Sequence, residues 1–109
     1  MQTMAQAMAF VQAEGSLNAS NAQDFQLSLM ERIHCDSAAG LIVDMSKVEA
    51  LDSAGLISLV SVLKQARQLR KRFCLCSVPP AIRIIFELTQ LDRAFEMLEE
   101  VPFSLALAA

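Results

Sequence analysis

The residues with the clearest chemical potential form the sequence Asp52-Ser53-Ala54-Gly55, which precedes a run of apolar residues at helical spacing. A serine at the start of a helix is a natural N-cap, because its hydroxyl accepts a hydrogen bond from a backbone N–H two or three residues later. The same hydroxyl could instead carry a phosphate, since the free N–H groups and the dipole of a helix N-terminus favour an anion. The pattern therefore predicts that Ser53 is either a structural cap or a modified residue.

Catalysis by Ser53 would require a general base and an oxyanion hole. The single histidine, His34, is expected at the exposed end of another helix, and the G-x-S-x-G sequence of serine hydrolases is absent. We therefore expect that the protein is not an enzyme.

The cysteines offer only a weak metal-binding pattern. Cys74 and Cys76 alternate along an apolar strand, which places both thiols on one face without the C-x2-C spacing typical of zinc ligands. His34 and Cys35 would have to complete the set. We expect reduced, buried and unreactive thiols, with no disulfide, metal or cofactor.

Four short apolar runs predict β-strands. These runs are residues 7–13, 41–43, 73–78 and 95–97. The first is expected to end at the turn signal Glu14-Gly15. The second is closed by Asp44 and has the pattern of a strand buried on both faces.

Apolar residues at helical spacing predict the helices between these strands. The predicted helices are residues 21–35, residues 54–70, a third that begins at Pro79-Pro80, and a small terminal helix interrupted by Pro102. Ser20 and Gln23 have the spacing of a capping box before the first helix. A short polar connection is expected between Met45 and Leu56, leading into the second helix.

The alternation of strands and helices requires right-handed crossovers. It predicts one α/β domain, with a mostly parallel or mixed sheet of four to five strands flanked by about four helices. In such a sheet the carboxyl ends of the strands and the amino ends of the helices share one edge, where sites are usually built. That edge is expected to contain residues 46–53 and residues 77–79.

Composition limits the classes of partner. The 109 residues are 54% hydrophobic with a formal net charge of −3, which is typical of one globular domain and disfavours nucleic acid. No apolar stretch is long enough to span a membrane, and the N-terminus lacks the basic region of a secretory signal. We therefore expect a cytoplasmic protein without direct membrane insertion.

Two further patterns leave alternatives open. The basic residues of the run 64–72 favour a solvated helix face over a phosphate-binding surface. The apolar end, Leu105 to Ala109, could cap the core or provide a patch for a weak homodimer.

Several stretches form a combined pattern. The main ones are LIVDMS at 41–46 and LDSAGL at 51–56, supported by GSLNA at 15–19, FCLCSV at 73–78 and LTQLDRAF at 88–95. This combination resembles the STAS domains of bacterial anti-sigma-factor antagonists. The resemblance covers about residues 15–97, and the whole chain, 1–109, is expected to be a single STAS domain.

The resemblance implies a non-enzymatic partner-switching regulator. Such antagonists bind an anti-sigma factor that is also a GHKL-type serine kinase, and that kinase inactivates them by phosphorylating the serine that corresponds to Ser53. A PP2C-type phosphatase reverses the modification. The alternative within the same fold is a STAS regulatory subunit of a membrane lipid or anion transport system, in which Ser53 would be an ordinary helix cap.

The expected partner-binding surface surrounds this serine. Its residues are Ser20, Asn21, Asp44, Ser46, Asp52, Ser53, Ala54, Gly55, Ile57 and Ser58. Among them, Ile57 and Ser58 are expected to be partly exposed on the first turn of the helix, whereas Leu56 packs inward.

Overall fold

A computed structural model describes residues 7–100 of the chain. In chain order the elements are β1 (Ala7–Leu17), α1 (Ala22–Ile33), β2 (Ala38–Leu51), α2 (Ser53–Gln68), β3 (Arg72–Cys76), α3 (Pro80–Leu88), a 3₁₀ helix (Leu91–Arg93) and β4 (Glu96–Leu98). This order confirms the predicted single α/β domain. The predicted terminal helix interrupted by Pro102 and the apolar end at Leu105 to Ala109 extend into residues 101–109, which lie outside the described residues.

The four strands form one sheet in the order β1-β2-β3-β4, and all three pairings are parallel. Val43 at the middle of β2 lies beside Val11 of β1 on one side and Leu75 of β3 on the other. The carboxyl ends of the strands therefore share one edge, as predicted.

The main core lies between the sheet and the helices. Alternate residues of β2 divide between the two faces, so Leu41, Val43 and Met45 join the buried residues of α1, α2 and α3. Ile42 points the other way and clusters with Cys74. Side chains therefore fill both faces of this central strand, as its continuous apolar run predicts.

The thiols differ in exposure. Cys74 and Cys76 are buried, as expected, and burial raises the pKa of Cys74 to about 12 and that of Cys76 to about 11. Both therefore stay protonated at neutral pH. Cys35 is exposed beyond the end of α1, in keeping with the exposed helix end expected at His34, and a hydrogen bond with Ser37 lowers its pKa.

β1 and β2 are longer than predicted. They continue to Leu17 and Leu51 as a two-stranded extension beyond the end of β3, with irregular register near Gly15. Gly15 has a φ of 75°, so it permits an irregularity within the strand instead of ending it. The segment predicted as a polar connection is therefore part of β2. Val48 and Leu51 bury their side chains, and the two residues between them face solvent.

The beginning of α1 also differs from the prediction. The helix starts at Ala22 after Asn21, and no side chain caps it. Ser20 does not form a capping box, because its hydroxyl donates to the side-chain oxygen of Asn18 at 2.6 Å. Local loop contacts satisfy these polar groups instead.

α3 begins at Pro80, which suits a first helical turn as predicted. Ile82 and Phe86 on one side of it are buried in the core. Ile84 and Leu88 on the other side are 50% and 80% exposed. This short helix is therefore apolar on both its inner and its outer side.

The basic run is largely exposed, as predicted, and three of its residues also bond to neighbouring elements. Lys71 Nζ donates to the carbonyls of Ile33 and Cys35 at 2.8 and 2.7 Å. Arg67 donates to the carbonyl of Ala94 at 2.9 Å, and Arg72 pairs with Glu96. These cations join neighbouring elements because their long side chains reach acceptors across the fold.

Within residues 7–100, the structure contains no helix both long and apolar enough to cross a membrane.

Candidate functional site

The candidate site lies where the ends of β1 and β2 meet the beginnings of α1 and α2. The backbone N–H of Asp52 donates to the carbonyl of Leu17 at 3.1 Å, which fixes the start of α2 against the end of β1. Ser53 is the first residue of α2, and its side chain is exposed. The fold thus presents this hydroxyl at the surface.

Asp52, and not Ser53, is the N-cap of α2. The Asp52 carboxylate accepts hydrogen bonds from the N–H groups of Ala54 and Gly55 at 2.9 and 3.1 Å. Its backbone is extended, as a cap residue requires, whereas Ser53 already belongs to the helix. The prediction that Ser53 caps the helix is therefore wrong, because the preceding residue type caps at least as well and occupies the cap position.

Gly55 permits the close contact between α2 and the two strands. A Cβ at this position would lie 2.8 Å from the carbonyl oxygen of Leu17 and 2.7 Å from Cδ1 of Leu51. Any side chain would force α2 away from the strand ends. Gly55 therefore helps to set the position of the helix that carries Ser53.

The next residues of α2 divide between surface and interior. Ile57 is 62% exposed, as predicted, and Leu56 packs partly against the core. The expectation that Ser58 is partly exposed is wrong. Ser58 is buried, and its Oγ lies 3.0 Å from the carbonyl oxygen of Ala22 and 3.1 Å from that of Ala54, both within donating distance. Ser58, in the second turn of α2, thereby joins this helix to the first turn of α1.

A shallow groove of about 510 Å³ runs between the beginnings of these two helices, and Ala54, the residue after Ser53, is part of its lining. Ala22, Leu27, Ala54 and Ile57 contribute to its apolar walls. Leu27 is 54% exposed and lies with Ile57 in the same groove, so this apolar wall is open to solvent. Sequence analysis missed Leu27, although its place outside the apolar stripe of α1 was the available signal.

Polar side chains of α1 line the same groove. Gln23 and Gln26 are both part of its wall, and neither was predicted. Asp24 lies in the first turn of α1, where a carboxylate is favourable beside the helix N-terminus. Asp52 caps the start of α2, so both of these helices carry a carboxylate at their beginning. These two carboxylates give this end of the molecule an acidic character.

The loop before α1 is fixed by its own amides. Asn21 donates from Nδ2 to the carbonyl of Ser16 at 2.7 Å and accepts from the N–H of Asn18 at 3.0 Å. Ser20 is exposed beside it and hydrogen-bonded to Asn18. These contacts set the position of the loop that leads into the groove-lining helix.

Two predicted site residues lie apart from the groove. Asp44 is only 7% exposed on the sheet face opposite the helices, and Ser46 is not among the residues that line the groove. Burial alone would raise the pKa of Asp44, but hydrogen bonds donated by Ser46 N–H and Gln12 outweigh it and keep that pKa below its ordinary value. Asp44 is therefore ionised at neutral pH and fixes the strands locally.

Ser46 instead lines a second depression, of about 660 Å³, together with Glu14, Lys47 and Glu49.

Across residues 7–100, no group of three or more His, Cys, Asp and Glu side chains could hold a metal ion. The arrangement around Ser53 suits recognition by another protein, because it combines an exposed hydroxyl, exposed apolar side chains and a fixed helix start.

Comparisons with known proteins agree with this geometry. A protein of Bordetella bronchiseptica provisionally named anti-sigma factor antagonist BtrV is 28% identical over 76 residues, which are 70% of this chain and 65% of that protein. The match therefore spans slightly less than two thirds of that relative.

Solved structures share the fold. A provisionally named anti-sigma factor antagonist from Thermotoga maritima superposes with a TM-score of 0.74 at 25% identity, over 86% of this chain and 79% of that one. A sulfate transporter family protein from Wolinella succinogenes has a TM-score of 0.78 over 98% of this chain and 88% of that one, and at 14% identity it shows the fold alone. The sequence model of the STAS domain matches residues 4–105, so the chain belongs to the STAS domain family.

Proposed function

We propose that this protein is an anti-sigma-factor antagonist, and that its anti-sigma factor docks on the groove between α1 and α2. The observation that carries the proposal is the exposed Ser53 at the first position of α2, next to the groove residue Ala54 and one helical turn before the exposed Ile57. A partner that covers this groove would also cover the Ser53 hydroxyl. The names of the Bordetella and Thermotoga relatives support the same function.

Phosphorylation of Ser53 is the proposed switch. The N–H groups of Ala54 and Gly55 already donate to Asp52, so a phosphate on Ser53 would add a second anion beside an occupied cap. The modification adds a charge of about −1.5 to −2 next to the apolar groove. A partner surface shaped for a neutral hydroxyl would then face repulsion and a desolvation penalty, and about 3 kcal/mol corresponds to more than a hundredfold in affinity.

The protein itself is the substrate in this scheme, and it needs no catalytic group. His34 lies at the end of α1 opposite the groove, with Nδ1 2.8 Å from the carbonyl oxygen of Met30. It is therefore remote from the start of α1, where the Ser53 groove lies. A GHKL-type kinase partner would supply the chemistry of phosphorylation, and a PP2C-type phosphatase would reverse it.

Affinity capture from the native lysate tests this proposal. Wild-type protein is expected to recover a GHKL-type serine kinase, Ser53→Ala to retain it, and both Ser53→Asp and Ile57→Glu to lose it. Leu69→Glu is the matched control, because Leu69 is a partly exposed apolar residue at the far end of α2. Equal melting temperatures of all baits would exclude unfolding as the cause of a loss.

Recovery of transporter subunits by both wild type and Ser53→Asp would overturn the proposal. It would favour the regulatory module of a membrane lipid or anion transport system, with Ser53 as an unmodified residue. A direct reaction with the recovered kinase adds a second test. Phosphopeptide mapping is expected to find the phosphate on Ser53, and Ser53→Ala is expected to remain unmodified.

A further inference from the structure

The outer side of α3 is a second exposed apolar surface, separate from the groove beside Ser53. Ile82 and Phe86 face the core, yet Ile84 and Leu88 on the opposite side remain 50% and 80% exposed. Ala81 is exposed on the same side. An outer helix side formed by apolar residues is normally covered, because a surface helix presents polar residues to water. We call Ala81, Ile84 and Leu88 the α3 outer face.

Two opposite charges lie along one side of this face. Arg83 and Glu87 are four residues apart, and they are the two charged residues of α3. Arg83 also lies within 3.7 Å of the exposed Glu99 carboxylate. The flank of the α3 outer face thus carries a positive charge near its beginning and a negative charge near its end.

This pattern is complementary to itself. If a second α3 packs antiparallel about a two-fold axis, equivalent flanks lie on the same side of the interface, and Arg83 faces Glu87 of the second copy. The large Leu88 then lies over the small Ala81 of the second copy, with Ile84 near the axis. A parallel arrangement would place the two flanks on opposite sides and form neither ion pair.

We propose that the α3 outer face is a self-association surface, on which two copies of this chain pair through antiparallel α3 helices. Nine helical residues extend only about 13 Å, so the interface falls below the roughly 1,200 Å² of stable specific complexes. The dimer is therefore weak and concentration-dependent. It leaves the groove beside Ser53 open, since no residue of α3 lines that groove.

Sedimentation velocity of the full chain tests the proposal over about 10 μM to about 1 mM. The sedimentation coefficient of the wild type is expected to rise with concentration, and that of Leu88→Glu to stay at the monomer value. Leu69→Glu introduces the same charge at a different exposed apolar position and should dimerise like the wild type. Retained kinase capture by Leu88→Glu would separate this surface from the proposed partner site.

Charge reversal tests the antiparallel geometry. Arg83→Glu and Glu87→Arg should each weaken dimerisation about tenfold or more, because each sets like charges against each other across the axis. The double reversal should restore it to within about threefold of the wild type. A wild type that stays monomeric at every concentration would overturn self-association, and a double variant no better than the singles would overturn the antiparallel pairing.

Discussion

The two ends of the sheet use their polar side chains in different ways. At the amino ends of the strands, Lys71 reaches across to the carbonyls of Ile33 and Cys35, and Arg67 reaches that of Ala94. At the carboxyl ends, Asp52 bonds within its own helix turn, beside the exposed Ser53. The first end is closed by contacts between distant elements. The second also presents exposed side chains, such as those of Ser53 and Ile57, that make no such contact in the structure described.

Gly40→Ala is expected to have the largest effect, because it disrupts the amino end of the sheet. A Cβ on Gly40 would lie 2.2 Å from the carbonyl oxygen of Arg72, so β2 and β3 would have to separate. The expected loss is about 3 kcal/mol of unfolding free energy, measured by urea denaturation. Gly15→Ala is the control, since no atom lies within 4 Å of the added carbon and only its positive φ opposes the change, at about 1 kcal/mol. An unchanged midpoint for Gly40→Ala would contradict this account.

Ile57→Glu probes the opposite end and should show the opposite behaviour. Because Ile57 is 62% exposed, the free energy of unfolding should change by less than about 0.5 kcal/mol. The affinity for the captured partner should fall by about 2 kcal/mol, or roughly thirtyfold, as titration calorimetry would measure. A strongly lowered melting temperature with unchanged affinity would reverse the roles assigned to the two ends.

The helix-capping role of Asp52 can be separated from the proposed switch role of Ser53 by comparing Asp52→Ala with Ser53→Ala. Removal of the Asp52 carboxylate leaves two N–H groups of α2 without their acceptor and should cost about 1 kcal/mol. Ser53→Ala should alter stability by only a few tenths of that, since Ser53 is exposed within the helix. Thermal melts of both variants would decide the matter, and a larger cost for Ser53→Ala would restore the serine as the cap.

The smallest expected effect is a pH dependence at the amino end. The hydrogen bond from Arg72 lowers the pKa of Glu96 below its ordinary 4.5. Stability from this pair is therefore full above pH 4.5 and is lost as the pH falls through the lowered pKa. Because both side chains are more than a third exposed, the contribution stays below about 1 kcal/mol.

Urea denaturation of the wild type and Arg72→Met at neutral and acidic pH isolates this contribution. The difference in unfolding free energy between the two proteins should shrink on acidification, while carboxylates common to both cancel. A difference that grows as the pH falls would contradict the assignment.

Sequence patterns predicted the fold more fully than the details of the site. The apolar run 41–43 and the helical spacing after Ser53 gave the central strand, the second helix and the edge where they meet. The extension of β2 to Leu51 escaped detection because its buried positions, Val48 and Leu51, are separated by two exposed residues and do not alternate. Where the register of two paired strands is irregular, buried and exposed residues no longer alternate regularly along the sequence. Such a segment resembles a loop when only one sequence is read.

The site residues show what local patterns cannot predict. The sequence indicated Ser53 and the exposure of Ile57, both from positions near the start of one helix. It gave no means to foresee that Ser58 donates to Ala22, because that contact depends on how α1 packs against α2. For the same reason Leu27 became part of the groove only once the two helices were adjacent.

The parallel register also governs how quickly the chain can fold. Val11 and Val43, and again Val43 and Leu75, are paired neighbours separated by a strand–helix crossover. None of the pairings within residues 7–100 is a β-hairpin, so each must close a long loop before its contacts form. The domain should therefore fold more slowly than a helical bundle of equal length. During synthesis, β2 must wait for β3 to leave the ribosome before its second edge is paired.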